Sequence, residues 1–356
     1  MQAPIEVKKA LELQQRGALM VDVRSPAEYA ETTIPGAINV PIFDNVERAE
    51  VGTIYSQIGQ REARRRAIEL VAPRIPQILK EIDDAREPDS PPAIIFCWRG
   101  GARSLAITSF LDLAGIPALQ LSGGHKAFRR HINNYFTETD FARMLIVRGP
   151  TGVGKTQLLR RLIDENYPVV DLEGLANHRG SAFGALGLGD QPSQKMFEAT
   201  LWQRLGQLQS NKYLLAEGES KHIGRLVIPE RLHQAMLAGA SIWVEAPLEY
   251  RIQVILQDYP ARDSMAEAFK PAIIALKERL GKQVVAELLG LLEQRDWPEL
   301  IRRLLVDYYD PLYLHTRPDN PVCVNITGLD DGVKKLKQAV LQLIPDNQKT
   351  AAASQI

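Results

Sequence analysis

The chain has 356 residues, 45% of them hydrophobic, which is enough for two domains with cores of their own. Lysine plus arginine and aspartate plus glutamate each number 43, so net charge is zero and any contact with nucleic acid must come from local patches. No stretch reaches the roughly 18 apolar residues of a membrane span, and the N-terminus has no signal-like apolar run, so a soluble cytoplasmic protein is expected.

Residues 19–23 read as a short buried strand. Ser25, Pro26 and Glu28 then form a capping-box helix start. A turn at residues 34–37 precedes a second short strand at 38–40. Residues 60–83 read as helix, broken near 73–76 by prolines. Residues 93–96 form an apolar strand ending at Cys97. A helix follows, Gly115 closes it, and a strand at 118–121 ends in Ser122-Gly123-Gly124 before another helix. This alternation predicts a small α/β domain over residues 1–138.

A second α/β unit starts at 144–147 and continues through a helix at 154–165. Strands at 169–172, 213–216 and 241–244 complete a parallel sheet covered by helices, giving a core over residues 139–262. Residues 263–356 read as a helical extension and C-terminal segment of that unit, with Leu276, Leu280, Val284, Leu288, Leu291 and Leu292 as core positions. A strand at 322–326 and a helix at 331–343 follow. Basic runs occur at Arg61, Arg64, Arg65 and Arg66; at Lys126, Arg129 and Arg130; at Arg160 and Arg161; and at Lys334, Lys335 and Lys337.

The chain has two cysteines, too few for a four-thiolate metal site, and its six histidines lack HExxH-type spacing; no dedicated protein-only metal site is expected. Cys97 opens Cys97-Trp98-Arg99-Gly100-Gly101-Ala102-Arg103-Ser104 between a strand and a helix. Glycines let such a loop curl so that N–H groups face the thiol, and a helix start favours an anion there. Arg99 and Arg103 add positive charge. Gly149-Pro150-Thr151-Gly152-Val153-Gly154-Lys155-Thr156 is a full Walker A pattern after a predicted strand. Its N–H groups would cradle phosphate, Lys155 would reach the terminal oxygens and Thr156 would face magnesium, a candidate ligand. Acids for that metal, or for ordering the lysine or pairing with Arg225, are Asp171, Glu173, Glu217 and Glu219, though none stands in an unmistakable Walker B motif.

Residues 22–29 and 34–41 (Asp-Val-Arg-Ser-Pro-Ala-Glu-Tyr and Ile-Pro-Gly-Ala-Ile-Asn-Val-Pro) resemble the N-terminal signature of rhodanese sulfurtransferases, and Leu121-Ser122-Gly123-Gly124 resembles their late strand. In rhodaneses the second loop arginine lies five residues after the cysteine; here Arg103 lies six after it. Residues 47–55 (Glu-Arg-Ala-Glu-Val-Gly-Thr-Ile-Tyr), 171–184 (Asp-Leu-Glu-Gly-Leu-Ala-Asn-His-Arg-Gly-Ser-Ala-Phe-Gly) and 308–313 (Tyr-Tyr-Asp-Pro-Leu-Tyr) join both loops in resembling the tRNA 2-selenouridine synthase family over nearly the whole chain.

That resemblance implies a rhodanese-like domain fused to a P-loop NTPase-like domain with a helical C-terminal extension. It implies a substrate tRNA carrying 2-thiouridine at the wobble position, alkylated from geranyl diphosphate and then selenated from selenophosphate. A selenophosphate-supplying enzyme is then a candidate partner, and no tightly bound organic cofactor is expected. By the same resemblance Cys97 carries selenium or guides its exchange, with Arg24, Arg99 and Arg103 as charge partners. Gly149, Gly152, Val153, Gly154, Lys155 and Thr156 take the diphosphate, and His178 and Arg179 orient diphosphate or tRNA. Two other readings stay open on the residues: an ATP-dependent sulfurtransferase acting on tRNA or a carrier, and a non-catalytic rhodanese module with a nucleotide switch. The sequence leaves the oligomeric state open.

Overall fold

The computed structural model describes residues 3–259, 263–314 and 317–344. The chain divides into two units, Met1–Glu138 with Ser193–Gln203, and Thr139–Pro192 with Arg204–Ile356. Residues 193–203 fall within the 139–262 range read as the P-loop core, yet they pack on the first unit. There Ser193 and Lys195 bond Glu31, and Trp202 sits edge-on to Phe128 at 5.5 Å.

In the first unit, β1 (Met20–Asp22), β2 (Ile38–Asn39), β3 (Ala93–Phe96) and β4 (Ala118–Gln120) form a parallel sheet in the order β2-β1-β3-β4. Every residue of β1 and β3 is buried, as strands covered on both faces require. The chain moves outward from β1 to β2, then crosses back to β3. The order therefore reverses between β1 and β3, and ligands of open α/β sheets bind beyond the strand ends at such a point. Arg24 and Cys97 follow those two ends.

Helices cover the sheet. Pro26–Glu31 starts as expected, with the Glu28 carboxylate accepting from the Ser25 N–H at 3.2 Å. The predicted helix over 60–83 is Gln60–Val71, a 3-10 turn Ala72–Arg74, and Ile75–Asp84, so the prolines open a new helix instead of ending one. Asn45–Gln57 is a further helix, capped reciprocally by Asp44 and Glu47. None of its residues is buried, so no apolar stripe announces it in the sequence.

The second unit has β5 (Arg143–Arg148), β6 (Val169–Val170), β7 (Tyr213–Glu217), a small hairpin of β8 (His222–Ile223) and β9 (Leu226–Val227), then β10 (Ala240–Glu245) and β11 (Val322–Asn325). The main sheet is parallel, in the order β11-β10-β5-β7-β6. From β5 the chain first builds one side of the sheet and then the other, which makes the end of β5 the reversal point. The predicted strand 169–172 stops at Val170 because Asp171 caps the helix Leu172–Ala176, accepting from Gly174 N–H at 2.7 Å. The helical extension has its own core: Leu276, Leu288 and Leu292 are buried, and Leu280, Val284 and Leu291 pack against them. None of the described helices is long and apolar enough to cross a membrane.

The loops after β3 and β4 interlock. Gly100 (φ +62°) and Gly124 (φ +57°) hold left-handed backbone, and a Cβ on Gly100 would stand 2.6 Å from Leu121 O and 2.9 Å from Gly123 N. A Cβ on Gly124 would strike Cys97 O and Gly100 N. Gly101, one residue on, has nothing within 4 Å of such a Cβ. Gly124→Ala is therefore expected to cost about 2–5 kcal/mol from strain and overpacking. Gly101→Ala should be near neutral. Thermal unfolding of the two variants checks this; equal melting temperatures would contradict it.

Candidate functional site

The Cys97 sulfur lies 3.3 Å from Ser104 Oγ, in the first turn of the helix Ala102–Leu113. Cys97 is 3% exposed and its apolar side joins the core around Val21, Ile95 and Ile107. An acceptor as large as a nucleobase reaches this sulfur only after the loop or a neighbouring side chain shifts. Gln120 ties the loop down, donating to Gly100 O at 2.9 Å and to Ser104 Oγ at 3.0 Å. The N–H groups of His125 and Lys126 donate to Cys97 O (2.8 Å) and Trp98 O (2.9 Å), so the following helix is clamped to the loop.

The three arginines have different surroundings. Arg24 is 1% exposed and its fork is filled by Asp22, at 2.9 and 3.0 Å from Nε, and by Thr32 O. Thr33 donates to the same Asp22 at 2.9 Å. Arg103 pairs with Glu28 at 2.7 and 3.3 Å. Burial of Glu28 opposes its charge, but Arg103, the Ser25 N–H and Arg48 outweigh this and leave its pKa below the usual value. Arg99 is exposed and makes no side-chain hydrogen bond or ion pair among the described residues. Of the three, Arg99 alone presents an uncommitted guanidinium at the mouth.

Behind the loop lies His125, which the sequence reading did not single out. It is fully buried among Trp98, Phe128 and Phe96, with ring centroids 5.6, 6.0 and 6.5 Å away. Among the described residues neither ring nitrogen meets the distance and angle of a hydrogen bond. Burial, then the charges of Arg24 and Arg129, pushes its pKa down to about 3, so it stays neutral and acts as a wedge under Trp98.

In the second unit the phosphate loop follows β5. Gly149 (φ +152°), Gly152 (φ +83°) and Gly154 (φ +82°) occupy conformations that side chains avoid, and Val153 is buried beneath the loop. The helix Lys155–Asp164 starts there, with its N-terminus free for an anion. Lys155 Nζ is held by Gly149 O at 3.0 Å and Pro150 O at 3.5 Å. Thr156 Oγ1 donates to Glu173 at 2.7 Å.

Glu173, Glu217 and Glu219 each place a carboxylate oxygen within 4.8 Å of the others. Glu217 is 1% exposed, and among the described residues neither of its oxygens accepts a hydrogen bond. Burial comes first in raising all three pKa values; the Glu173 charge adds to it at Glu217, which is raised strongly, and at Glu219, raised to about 7, while Asp171 and Asp258 add to it at Glu173. An all-oxygen set beside Thr156 suits a hard divalent cation such as magnesium, which would relieve the repulsion. Asp171 is not in this cluster; it caps its helix and faces Arg160 at 3.6 Å.

His178, 8% exposed, accepts at Nδ1 from Gly180 N–H at 3.1 Å, and burial keeps its pKa low. Gly180 (φ +65°) brings this turn against the acids, since a Cβ there would stand 2.6 Å from Glu219 and 2.8 Å from Glu173. Arg179 bonds Leu186 O at 2.7 Å and covers the Tyr259 ring at 4.5 Å. These residues, the phosphate loop, Glu173 and Glu219 line one cavity of about 1070 Å³. Arg225 does not line it; it is exposed and bonded to Gln191.

Two further features involve the segments 171–184 and 308–313. Arg251, on the helix Leu248–Asp258, donates to Thr151 O at 2.8 Å and grips Asp310 at 2.5 and 3.0 Å, tying the phosphate loop to the Tyr308-Tyr309-Asp310-Pro311 segment. Beside the main cavity, an apolar recess of about 70 Å³ reaches Phe183, Phe269, Trp297 and Leu304 and shares Thr151, Ser181, Ile255, Tyr259 and Tyr309 with the cavity wall.

Comparison with known proteins bears on this architecture. Residues 142–342 match the model of the "tRNA 2-selenouridine synthase AAA domain", and residues 6–131 match the rhodanese-like domain. A tRNA 2-selenouridine synthase of Nitrosomonas europaea is 33% identical over 82% of this chain and 73% of its own length. One from Bdellovibrio bacteriovorus is 31% identical over 88% and 93%. One from Cupriavidus pinatubonensis is 34% identical over 84% and 88%.

Glu219 predicts a pH dependence. Its folded-state pKa stands above the usual 4.5, so the fold holds a proton that the unfolded chain releases. The stability it contributes is full below about 4.5 and is lost as pH rises through about 7. Without divalent cation, the melting temperature should fall across that window, and Glu219→Gln should flatten the fall. Magnesium with pyrophosphate should raise the melting temperature at pH 7.5. Calorimetry from pH 4.5 to 7.5 checks this; an unaltered profile in the variant would contradict it.

Proposed function

This chain belongs to the tRNA 2-selenouridine synthase family, a family of transferase enzymes, and on that premise we propose that it converts wobble 2-thiouridine in tRNA to 2-selenouridine through a geranylated intermediate. One observation carries the choice of donor. The wall of a phosphate nest continues into a recess that offers its occupant almost only hydrocarbon. That pairing suits an allylic diphosphate, charged at one end and apolar at the other, better than a nucleotide.

In the first stage the tRNA sulfur attacks the allylic carbon, the carbon–oxygen bond breaks and diphosphate leaves. The loop N–H groups of Gly152 and Gly154, with Lys155, take up the departing charge. Lys155 exchanges its loop carbonyls for phosphate oxygens as it does so. A divalent cation held by Thr156 and the glutamates supplies further neutralisation when bound. His178 and Arg179 stand on the wall where diphosphate or RNA is oriented. Arg251 holds the loop at Thr151 and is a positioning residue.

In the second stage selenium from selenophosphate replaces sulfur at the same ring carbon. The alkylated sulfur departs as geranylthiol, a better leaving group than sulfide, and hydrolysis of the selenium–phosphorus bond releases phosphate. Selenium enters and sulfur leaves at the same oxidation level, so this exchange needs no oxidant. A perselenide on Cys97 would need one. Cys97 belongs to this stage, holding or guiding the selenium species, with Arg99 at the mouth.

The two stages should separate by mutation. Cys97→Ser is expected to accumulate the S-geranyl nucleoside and to lose selenouridine. Lys155→Ala is expected to slow geranyl transfer at limiting diphosphate by about 100-fold. Mass spectrometry of digested tRNA reads both. Normal selenouridine from Cys97→Ser, or thiolation of unmodified tRNA driven by ATP, would overturn the reading.

A further inference from the structure

The four basic runs of the sequence do not remain equal in the fold. Arg160 and Arg161 face Asp171 and Asp330. Lys335 and Lys337 face Asp331 and Glu165. Arg66 is divided between Glu50 and Glu69, and Arg65 approaches Glu69. The surroundings of the cysteine loop differ. Residues 90–111 contain no aspartate or glutamate, and the helix Gly124–Glu138 has none before its last residue. These two segments are joined by the bonds from His125 and Lys126 to the loop carbonyls. Between them they carry Arg99, Arg103, Lys126, Arg129 and Arg130. Glu28 neutralises Arg103, and Glu198 neutralises Arg129. Arg99, Lys126 and Arg130 are exposed and have no side-chain hydrogen bond or ion pair among the described residues.

Resting on the tRNA-modifying reading above, we propose that Arg99, Lys126 and Arg130 form a cationic rim that holds the sugar-phosphate backbone of tRNA next to the base presented at Cys97. Lys126 and Arg130 are four residues apart, so they share one face of their helix. Lys126 lies in the first turn, where the helix dipole also favours phosphate. Trp98, half-buried between Cys97 and Arg99 and backed by His125, gives the rim an aromatic surface for a base to stack on. The chain as a whole is neutral, so this local surplus is what a polyanion meets.

The test is binding of 2-thiouridine tRNA to the full chain over a range of salt. Lys126→Gln with Arg130→Gln should weaken binding about tenfold near 0.15 M salt and reduce the slope of log affinity against log salt by about 1.4, as loss of two single-strand phosphate contacts requires. Selenation should show a raised KM for tRNA with kcat little changed. Lys126→Arg should restore part of the loss. Arg61→Gln with Arg64→Gln removes the same charge from exposed positions elsewhere in the first unit that have no ion pair among the described residues, and should leave the slope unchanged. Circular dichroism confirms that each variant folds. An unchanged slope in the rim variant, or an equal loss in the Arg61/Arg64 variant, overturns the rim while leaving the function intact. Failure of the unsubstituted protein to bind tRNA overturns both.

Discussion

Backbone curvature at the ends of two parallel strands is the constraint on which this protein depends. After β3 and again after β5, the chain must turn sharply and then enter a helix. Only residues without a side chain allow it. Gly100 and Gly124 interlock two loops around Cys97, while Gly149, Gly152 and Gly154 shape the phosphate nest. Each loop sits where the strand order of its sheet reverses, so the helices diverge and leave the strand ends open.

Charge is handled in opposite ways at the two places. Around Cys97 the cations exceed the acids of the same segments, and partners from elsewhere in the unit quench only some of them. Beside the phosphate loop three glutamates crowd together, and burial with the Glu173 charge holds the Glu217 and Glu219 pKa values up. The first arrangement waits for an anion. On the proposed reading the second takes a divalent cation and, through it, a phosphate-bearing substrate. On that reading both places complete their electrostatics only with their substrates, as preorganised sites do.

Much of this was legible in the sequence because it rests on local rules. The Ser25–Glu28 cap, the glycine spacing at 149–154 and the apolar runs of β3 and β5 depend on neighbours within a few residues. What escaped depends on distant partners. Asn45–Gln57 has no buried face, so its reciprocal cap was the sole signal. Nothing near Arg251 in the sequence says that it spans from Thr151 to Asp310. His125 looks like any helix residue until three aromatic rings close round it. Arg225 has a charge suited to the site, but its loop carries it to Gln191.

The division of labour between the two loops is most directly tested by a pulse and chase on one tRNA. The protein is given 2-thiouridine tRNA and geranyl diphosphate alone, the product is isolated, and selenophosphate is then added with fresh protein. The account predicts that the S-geranyl nucleoside accumulates in the pulse and becomes 2-selenouridine in the chase, with geranylthiol released in equal amount. Formation of 2-selenouridine from thiouridine tRNA and selenophosphate at full rate, with no geranyl diphosphate present, would contradict it.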